Sequence, residues 1–194
     1  MQQLNLPTYQ FKIKSSENKR LLFDAIRKKY VVLTPEEWVR QHFVCYLIEE
    51  KKYPASLIAV EKQVTVNNLK KRTDILIFNR EGRHEIVVEC KAPSVPITQS
   101  TFDQIARYNL KLKANYLVVT NGLSHFYCQM DFKNKTYLFL DDIPSCQWFF
   151  SRYFNKSKQA KSRKIKVNLQ VPSLFWVLVF HFKYTNNYLA DRLL

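Results

Sequence analysis

Glycine is scarce in this chain, since only Gly82 and Gly122 occur among its 194 residues. A globular protein usually contains about 7% glycine. Dinucleotide-binding turns, P-loops and the nucleophile elbow of α/β-hydrolases each need glycines at fixed spacing. The sequence therefore excludes these three kinds of site.

Cysteine and histidine are present, four of each, but they are widely dispersed. No two cysteines form a CxxC pair and no two histidines are spaced as HxxxH, so a structural zinc site is not expected. The first ten residues are polar and lack the apolar core of a signal peptide. These features predict reduced thiols and a cytoplasmic location.

Acidic residues are few: 16 Asp and Glu stand against 31 Lys and Arg, which gives a formal net charge of +15. The excess is uneven, because residues 151–170 contain seven basic residues and no acidic one, whereas residues 21–150 contain 18 basic and 14 acidic. This balance favours a polyanionic partner such as DNA. The basic run at 152–166 is either a DNA-binding arm or a solvated charged segment.

No uncharged run is long enough to span a membrane. In the tail the longest uncharged run, residues 167–182, has 16 residues, whereas a spanning helix needs about 20 apolar ones. We interpret this run as a docked strand or interaction element, with membrane-surface contact as the alternative. We therefore predict a domain over residues 1–150, followed by a basic linker and short apolar tail over 151–194.

Hydrophobic periodicity predicts an α/β fold in which helices flank a mixed sheet. Thr34-Pro35-Glu36-Glu37 is a capping box that starts a helix ending near residue 52, and Thr98 caps a second helix over 99–113. Residues 19–32 are expected to form a short strand or helix with a turn. The predicted strands are 57–66, 73–79, 84–91, 115–120, 123–130 and 136–140, with turns at Asn67-Asn68 and at 80–83.

Asp74, Glu89 and Lys91 carry the most informative pattern. In a strand over 84–91, Glu89 and Lys91 lie on one face while Cys90 lies on the other. Asp74 is expected to open the preceding hairpin strand, beside the end of its antiparallel partner. Two carboxylates and an ammonium then converge at one sheet edge.

Such a pair of carboxylates can stay ionised when a cation lies between them. Carboxylate oxygens suit Mg²⁺ or Mn²⁺, and such a metal assists phosphodiester hydrolysis. Lys91 can orient a water or steady a phosphate. The alternative is that Glu89 and Lys91 form a structural ion pair and that Asp74 only keeps a strand edge soluble.

Several stretches of the chain together carry a more specific signal. They are Phe23–Val31, Leu33–Gln41, Arg72-Thr73-Asp74-Ile75, Val88-Glu89-Cys90-Lys91-Ala92-Pro93, Gln104-Ile105-Ala106-Arg107-Tyr108-Asn109 and Val119-Thr120-Asn121-Gly122. Over residues 20–140 the sequence resembles the PD-(D/E)xK nuclease domain at the N-terminus of type I restriction enzyme R subunits, particularly its short stand-alone relatives.

The resemblance implies a restriction-endonuclease-like fold and a metal-dependent DNA endonuclease. Asp74, Glu89 and the backbone carbonyl of Cys90 would be metal ligands, and Lys91 would be the catalytic lysine. Gln104 and Tyr108, one helical turn apart, would form the accessory helix motif. Thr73 stands where the family motif has proline, which such folds tolerate.

Other residues have two interpretations each. Glu37 is either an additional carboxylate near the metal or only part of the capping box. Lys70, Lys71, Arg72 and, beside the glutamine motif, Arg107 are either DNA-binding side chains that position the phosphate backbone or solvated surface charges.

The sequence therefore predicts a Mg²⁺-dependent DNA endonuclease with catalytic residues Asp74, Glu89, Lys91 and Gln104. No helicase motor follows residue 150, so cleavage is expected to depend on a motor or specificity subunit if the relatives need translocation. A non-catalytic DNA-binding or assembly module with the same fold is the alternative. Oligomeric state and target sequence stay open.

Overall fold

The computed structural model describes residues 1–66, 69–147 and 166–168. The predicted turn at Asn67-Asn68 and most of the predicted tail lie outside these residues. The elements are β1 (Ile13–Ser16), β2 (Lys19–Asp24), β3 (Lys29–Val32), α1 (Pro35–Glu49), a 3₁₀ turn (Ala55–Leu57), β4 (Ile58–Val66), β5 (Leu69–Phe78), β6 (His84–Cys90), α2 (Gln99–Leu112), β7 (Tyr116–Thr120), β8 (His125–Asp131), β9 (Thr136–Leu140) and β10 (Lys166–Asn168).

Seven strands form the main sheet, in the order β10-β9-β8-β7-β6-β5-β4. Neighbouring strands are antiparallel except β6 and β7, which are parallel. Helix α2 connects these two strands, because parallel neighbours need a crossover. The mixed sheet with flanking helices confirms the predicted α/β class.

Two hydrophobic clusters cover the two faces of the main sheet. Alternate residues of β6 enter different clusters, since Ile86, Val88 and Cys90 pack with α1 whereas Val87 packs with α2. This confirms the two-residue alternation predicted for the strand. The helical members of the clusters are Val39, Phe43, Val44 and Leu47 of α1, and Phe102, Ile105, Ala106 and Leu112 of α2.

Both helices begin at the predicted caps. The Thr34 hydroxyl oxygen accepts a hydrogen bond from the backbone N–H of Glu37 at 3.1 Å, and the Thr98 hydroxyl oxygen accepts one from Thr101 at 3.3 Å. Each bond satisfies a backbone donor that lacks a partner within the helix. The capping signals therefore located the helix starts correctly.

Residues 12–32 differ from the prediction. Strands β1, β2 and β3 form a separate three-stranded antiparallel sheet, which we call the N-terminal meander. Glu17 and Asn18 both have positive φ, 48° and 61°, as a two-residue hairpin turn requires. The sequence signal was weak because β1 and β3 contain no buried residue.

Residues 2–5 pack against the loop that follows β7, and we call them the N-terminal strap. The backbone N–H of Asn5 donates to the Gly122 carbonyl at 2.7 Å, and the Asn5 carbonyl lies 2.9 Å from Nε2 of His125. Leu4 is buried in the cluster below α1. The strap thus contributes to the core of the domain.

Two predictions about the cysteines and the membrane can be compared with the structure. All four cysteines are free thiols, and three of them are buried. Within the described part of the chain, no helix has the length and apolar character needed to cross a membrane.

Candidate active site

Asp74 and Glu89 occupy neighbouring positions on adjacent strands. The β5–β6 ladder ends at the pair Ile75–Val88, and the next residue on each strand is Asp74 and Glu89. Asp74 does not open its strand, contrary to the prediction, because β5 begins at Leu69. The antiparallel register nevertheless brings the two carboxylates together.

The Asp74 carboxylate is held by two donors. Nη2 of Arg40 donates to Oδ1 at 2.8 Å, and the backbone N–H of Cys90 donates to Oδ2 at 2.7 Å. The side chain keeps 16% of its surface exposed. Asp74 is therefore fixed in orientation and still accessible.

Lys91 reaches back along the edge of β6 to Glu89. Its Nζ donates to Oε1 of Glu89 at 2.8 Å, with 29% of the Lys91 side chain and 26% of the Glu89 side chain exposed. The backbone N–H of Lys91 donates to the Thr120 carbonyl at 2.8 Å, which ties this end of β6 to β7. The ion pair matches both the catalytic and the purely structural interpretation.

Burial and neighbouring charge shift the titration of these groups. Burial raises the pKa of Glu89, and the negative charge of Asp74 raises it further, while the hydrogen bond from Lys91 opposes the shift. Burial lowers the pKa of Lys91, but its hydrogen bond to Glu89 and the surrounding carboxylates outweigh this and raise it overall. The site thus carries an excess of negative charge that a cation would offset.

Two residues of α1 belong to this cluster, although the sequence pointed to neither as a site residue. Arg40 contacts Asp74 directly and is only 5% exposed. Glu36 is 44% exposed, pairs with Arg40 at 2.9 Å, and adds its negative charge to the field that raises the pKa of Glu89 and of Lys91. The capping box predicted the helix start but gave no sign of these contacts.

Glu37 is connected to Asp74 through Arg40, whose guanidinium donates to both carboxylates. Its carboxylate accepts hydrogen bonds from Arg27, Arg40 and, at 2.8 Å, from the Gln41 amide. Arg27 also donates to Asp24, so these groups form a buried ion-pair network under the site. The structure gives Glu37 a role beyond the capping box, as the shared acceptor of two arginines.

Glu61 stands across from Asp74 in β4. The β4–β5 ladder pairs Val60 with Ile75 and Lys62 with Thr73, and it is interrupted between them. Glu61 has φ +52°, a left-handed conformation that costs about 1–2 kcal/mol for a non-glycine residue. Its carboxylate accepts from Arg27 at 2.7 Å, which helps to hold this conformation.

Among the remaining predicted residues, Tyr108 has the clearest relation to the cluster. Tyr108 is half-buried, and burial together with the charge of Glu89 raises its pKa, so its hydroxyl lies in the field of the site. Gln104 is exposed one turn earlier on α2. Lys70 is exposed, and Arg72 is 67% exposed with a guanidinium nitrogen 3.6 Å from Glu61. The side chains of Lys71 and Arg107 lie outside those described.

A hard cation such as Mg²⁺ needs oxygen ligands from the protein. Among the residues that the structure describes, no three His, Cys, Asp or Glu side chains are grouped to hold a metal ion. The predicted set uses only two side chains, Asp74 and Glu89, with the carbonyl of Cys90. Each carboxylate oxygen can accept two bonds, so the contacts to Arg40, Cys90 and Lys91 leave acceptor capacity. All three groups are oxygen donors, which fit Mg²⁺ or Mn²⁺.

Fold and site together are consistent with a restriction-endonuclease-like α/β domain. Residues 35–144, more than half of the chain, match the model of the family described as "Type I restriction enzyme R protein N terminus (HSDR_N)". The chain belongs to this family, which confirms the resemblance noted from the sequence. No match was found among curated proteins.

The matched range contains every residue of the predicted site and supports a restriction-related, nuclease type of role. It begins after the N-terminal strap and the meander. These two parts, which supply Leu4 and Asp24 to the interior, lie outside the matched residues.

Proposed function

We propose that the protein is a metal-dependent DNA endonuclease that hydrolyses phosphodiester bonds. The observation that supports this best is the convergence of Asp74, Glu89 and Lys91 where β5 and β6 run side by side, within the range matched by the restriction-enzyme family. The three side chains are partly exposed, so a substrate phosphate can reach them.

In this proposal Asp74, Glu89 and the Cys90 carbonyl hold Mg²⁺ or Mn²⁺. When bound, the metal would lower the pKa of its water and offset the charge that develops on the phosphate. Arg40 and the Cys90 N–H keep the Asp74 carboxylate in one orientation. This preorganisation matters because a displaced ligand weakens the site.

Lys91 is the side chain that would contact the substrate phosphate or the attacking water. Its ammonium lies 2.8 Å from Glu89 and is 29% exposed, so one face of it is available to a phosphate oxygen or to the attacking water. In hydrolysis the water oxygen bonds to phosphorus and the water gives up a proton, the bond from phosphorus to the leaving deoxyribose oxygen breaks, and that oxygen takes up a proton. Tyr108 of α2 lies in the field of Glu89, and in this proposal it would contact the DNA backbone together with Gln104, one helical turn earlier.

The test is cleavage of plasmid and linear DNA with Mg²⁺ or Mn²⁺ by wild type, Asp74→Ala and Lys91→Ala proteins. Lys133→Ala, a change of an exposed lysine in the β8–β9 turn, is the matched control. We expect cleavage by wild type and by the control, and none by the two site variants. Equal cleavage by all four proteins would show that the activity lies elsewhere. Calorimetric titration of Mg²⁺ should in addition show binding that Asp74→Ala removes.

A specific observation favours a second candidate, a non-catalytic DNA-binding or assembly module. Arg40 and Lys91 already pair with the two carboxylates, so positive charge at the site is supplied by the chain itself. DNA binding that survives Asp74→Ala, without cleavage under any metal, would support this candidate. Cleavage that appears only when a motor or specificity subunit is added would instead support the nuclease with a required partner.

A further inference from the structure

The N-terminal meander lies outside the residues matched by the family and outside the candidate active site. Its three strands are short, yet they form a continuous antiparallel sheet with paired registers. One face of this sheet packs on the domain, because Leu22 and Asp24 of the central strand are fully buried. The other face needs a separate explanation.

The strand registers define the second face, which we call the outer face. Phe23 pairs with Tyr30, Leu21 pairs with Val32, and Lys14 pairs with Leu21, so these side chains point the same way. The Phe23 N–H donates to the Lys12 carbonyl, which adds Lys12 to the row of Phe23. The charged, aromatic and aliphatic members of the outer face are Lys12, Lys14, Lys19, Leu21, Phe23, Tyr30 and Val32.

The outer face combines exposed aromatic and apolar surface with positive charge. Tyr30 and Val32 are 39% and 48% exposed, two of the five large hydrophobic side chains exposed in the described part of the chain. The rings of Tyr30 and Phe23 lie 5.2 Å apart, with Nζ of Lys14 4.0 Å from the centre of the Tyr30 ring. None of the seven side chains is acidic.

This composition determines which partner the face can accept. Two copies of the face would bring lysines against lysines, which opposes self-association. The same lysines attract a polyanion, and the exposed rings can stack on unpaired bases. A paired duplex keeps its bases stacked inside and cannot use the rings. Single-stranded nucleic acid therefore complements both properties.

The face is also preformed. The Asp24 carboxylate accepts hydrogen bonds from the backbone N–H groups of Ile26 and Arg27, at 2.8 and 2.7 Å, and from the Gln41 amide at 2.7 Å. Gln41 belongs to α1, the helix that also carries Arg40, so the meander and the active-site cluster are fixed to one helix. A rigid platform loses less conformational entropy when a ligand binds.

We propose that the outer face of the N-terminal meander binds single-stranded nucleic acid, through base stacking on Tyr30 and Phe23 and phosphate contacts to Lys12 and Lys14. The proposal does not depend on cleavage by Asp74, Glu89 and Lys91. A single-stranded nucleic acid bound there would lie on a sheet that is fixed to α1, the same helix to which the candidate active site is fixed.

The test is fluorescence anisotropy of a labelled oligothymidylate of about 20 nucleotides with the full-length chain, in chelator so that no cleavage occurs. We expect Tyr30→Ala to weaken binding about tenfold, as loss of one stacked base predicts. In the double variant Lys12→Gln/Lys14→Gln, the slope of log K against log salt concentration should be smaller in magnitude by about 1.4, because two phosphate contacts are lost. A matched duplex should bind less tightly and should not respond to Tyr30→Ala.

Controls separate the face from its surroundings. Ile13→Ala changes an exposed apolar residue of β1, the strand of Lys14, whose side chain lies on the opposite face of the meander. Lys133→Gln removes a positive charge from the distant β8–β9 turn. Both should bind as wild type. Urea unfolding of each variant checks that the fold is retained, and the lysine variant tests the face even if Tyr30→Ala is unstable.

Three results would overturn the proposal. The first is no binding of the oligonucleotide, and the second is binding that neither outer-face variant changes. The third is preferential binding of vesicles with anionic lipid, reduced by the same variants, because it would assign the face to a membrane surface. The nuclease proposal is tested by cleavage with metal and this one by binding in chelator, so failure of the one and failure of the other are distinguishable.

Discussion

Nη2 of Arg40 lies 2.8 Å from Oδ1 of Asp74, so a residue of the first helix holds a carboxylate of the central sheet. The same guanidinium pairs with Glu36 and Glu37. Burial lowers the pKa of Arg40, but the charges of Asp74 and Glu37 outweigh it and raise the pKa. Arg40 thus connects the candidate active site with the buried ion-pair network.

We predict that Arg40→Ala lowers the free energy of unfolding by about 3 kcal/mol, because it leaves buried carboxylates without their cation. Urea unfolding at neutral pH measures this. Arg40→Lys keeps the charge but loses the planar fork that serves several carboxylates, so its loss should be smaller but clear. A wild-type unfolding midpoint for Arg40→Ala would contradict the assigned role.

Glu37 and Glu89 should respond in opposite directions to removal of their charge. Glu37→Gln removes the acceptor shared by two arginines, and we expect a loss of about 2–3 kcal/mol. Glu89 has a raised pKa in the folded state, so its ionised form destabilises the fold as pH rises through and above the ordinary glutamate pKa. Glu89→Gln should therefore raise stability at neutral pH.

Parallel urea titrations of the two variants and wild type test this pair. Mg²⁺ should increase the stability of wild type by mass action but not that of Glu89→Gln. A destabilised Glu89→Gln protein would mean that its ion pair with Lys91 is chiefly structural.

The two glycines allow a matched test of the N-terminal strap. Both have positive φ, +73° for Gly82 and +82° for Gly122, so alanine at either costs about 1–2 kcal/mol of backbone strain. A Cβ at Gly82 meets nothing within 4 Å, whereas a Cβ at Gly122 would lie 2.8 Å from Leu4 and 3.0 Å from Val39. Gly122→Ala should therefore lose clearly more stability than Gly82→Ala in urea unfolding, and equal losses would argue against the packing of the strap.

His42 predicts how stability responds to mild acid. Burial lowers the pKa of His42, partly opposed by its hydrogen bond to the Trp38 carbonyl at 2.9 Å. Below about pH 6.5 the unfolded chain binds a proton that the folded protein takes up only at lower pH, so the free energy of unfolding falls as pH falls. Rings of Trp38, Phe11 and Tyr9 surround the imidazole.

The measurement is the urea midpoint of wild type and of His42→Gln at about pH 8 and about pH 5.5. Wild type should lose more stability between these conditions than the variant, which has no imidazole to titrate. The same loss in both proteins would assign the acid sensitivity to other groups.

Local signals in the sequence predicted much of the fold. Thr34 and Thr98 located the helix starts because capping is decided within four residues. The alternation of β6 separated Val88 from Glu89 because a strand has a fixed two-residue period. The strands over 84–91 and 136–140 agree with β6 and β9 to within a residue.

Relationships between distant residues could not be predicted in this way. Arg40 and Asp74 are 34 residues apart, and their contact depends on how α1 crosses the sheet. Asp74 was expected to open its strand because the predicted strand began at residue 73, but pairing with β4 extends β5 to Leu69. The meander was missed because its short strands bury little apolar surface.

The N-terminal strap has a consequence for the order of events during synthesis. Asn5 finds its partners at Gly122 and His125, about 120 residues later in the chain. During synthesis the strap therefore leaves the ribosome long before the loop that follows β7. Until that loop has formed, the apolar side chain of Leu4 stays exposed to water. Closure of such a long loop also carries a large entropic cost, which slows folding. We expect the strap to dock last, after the strands that build its receptor have assembled.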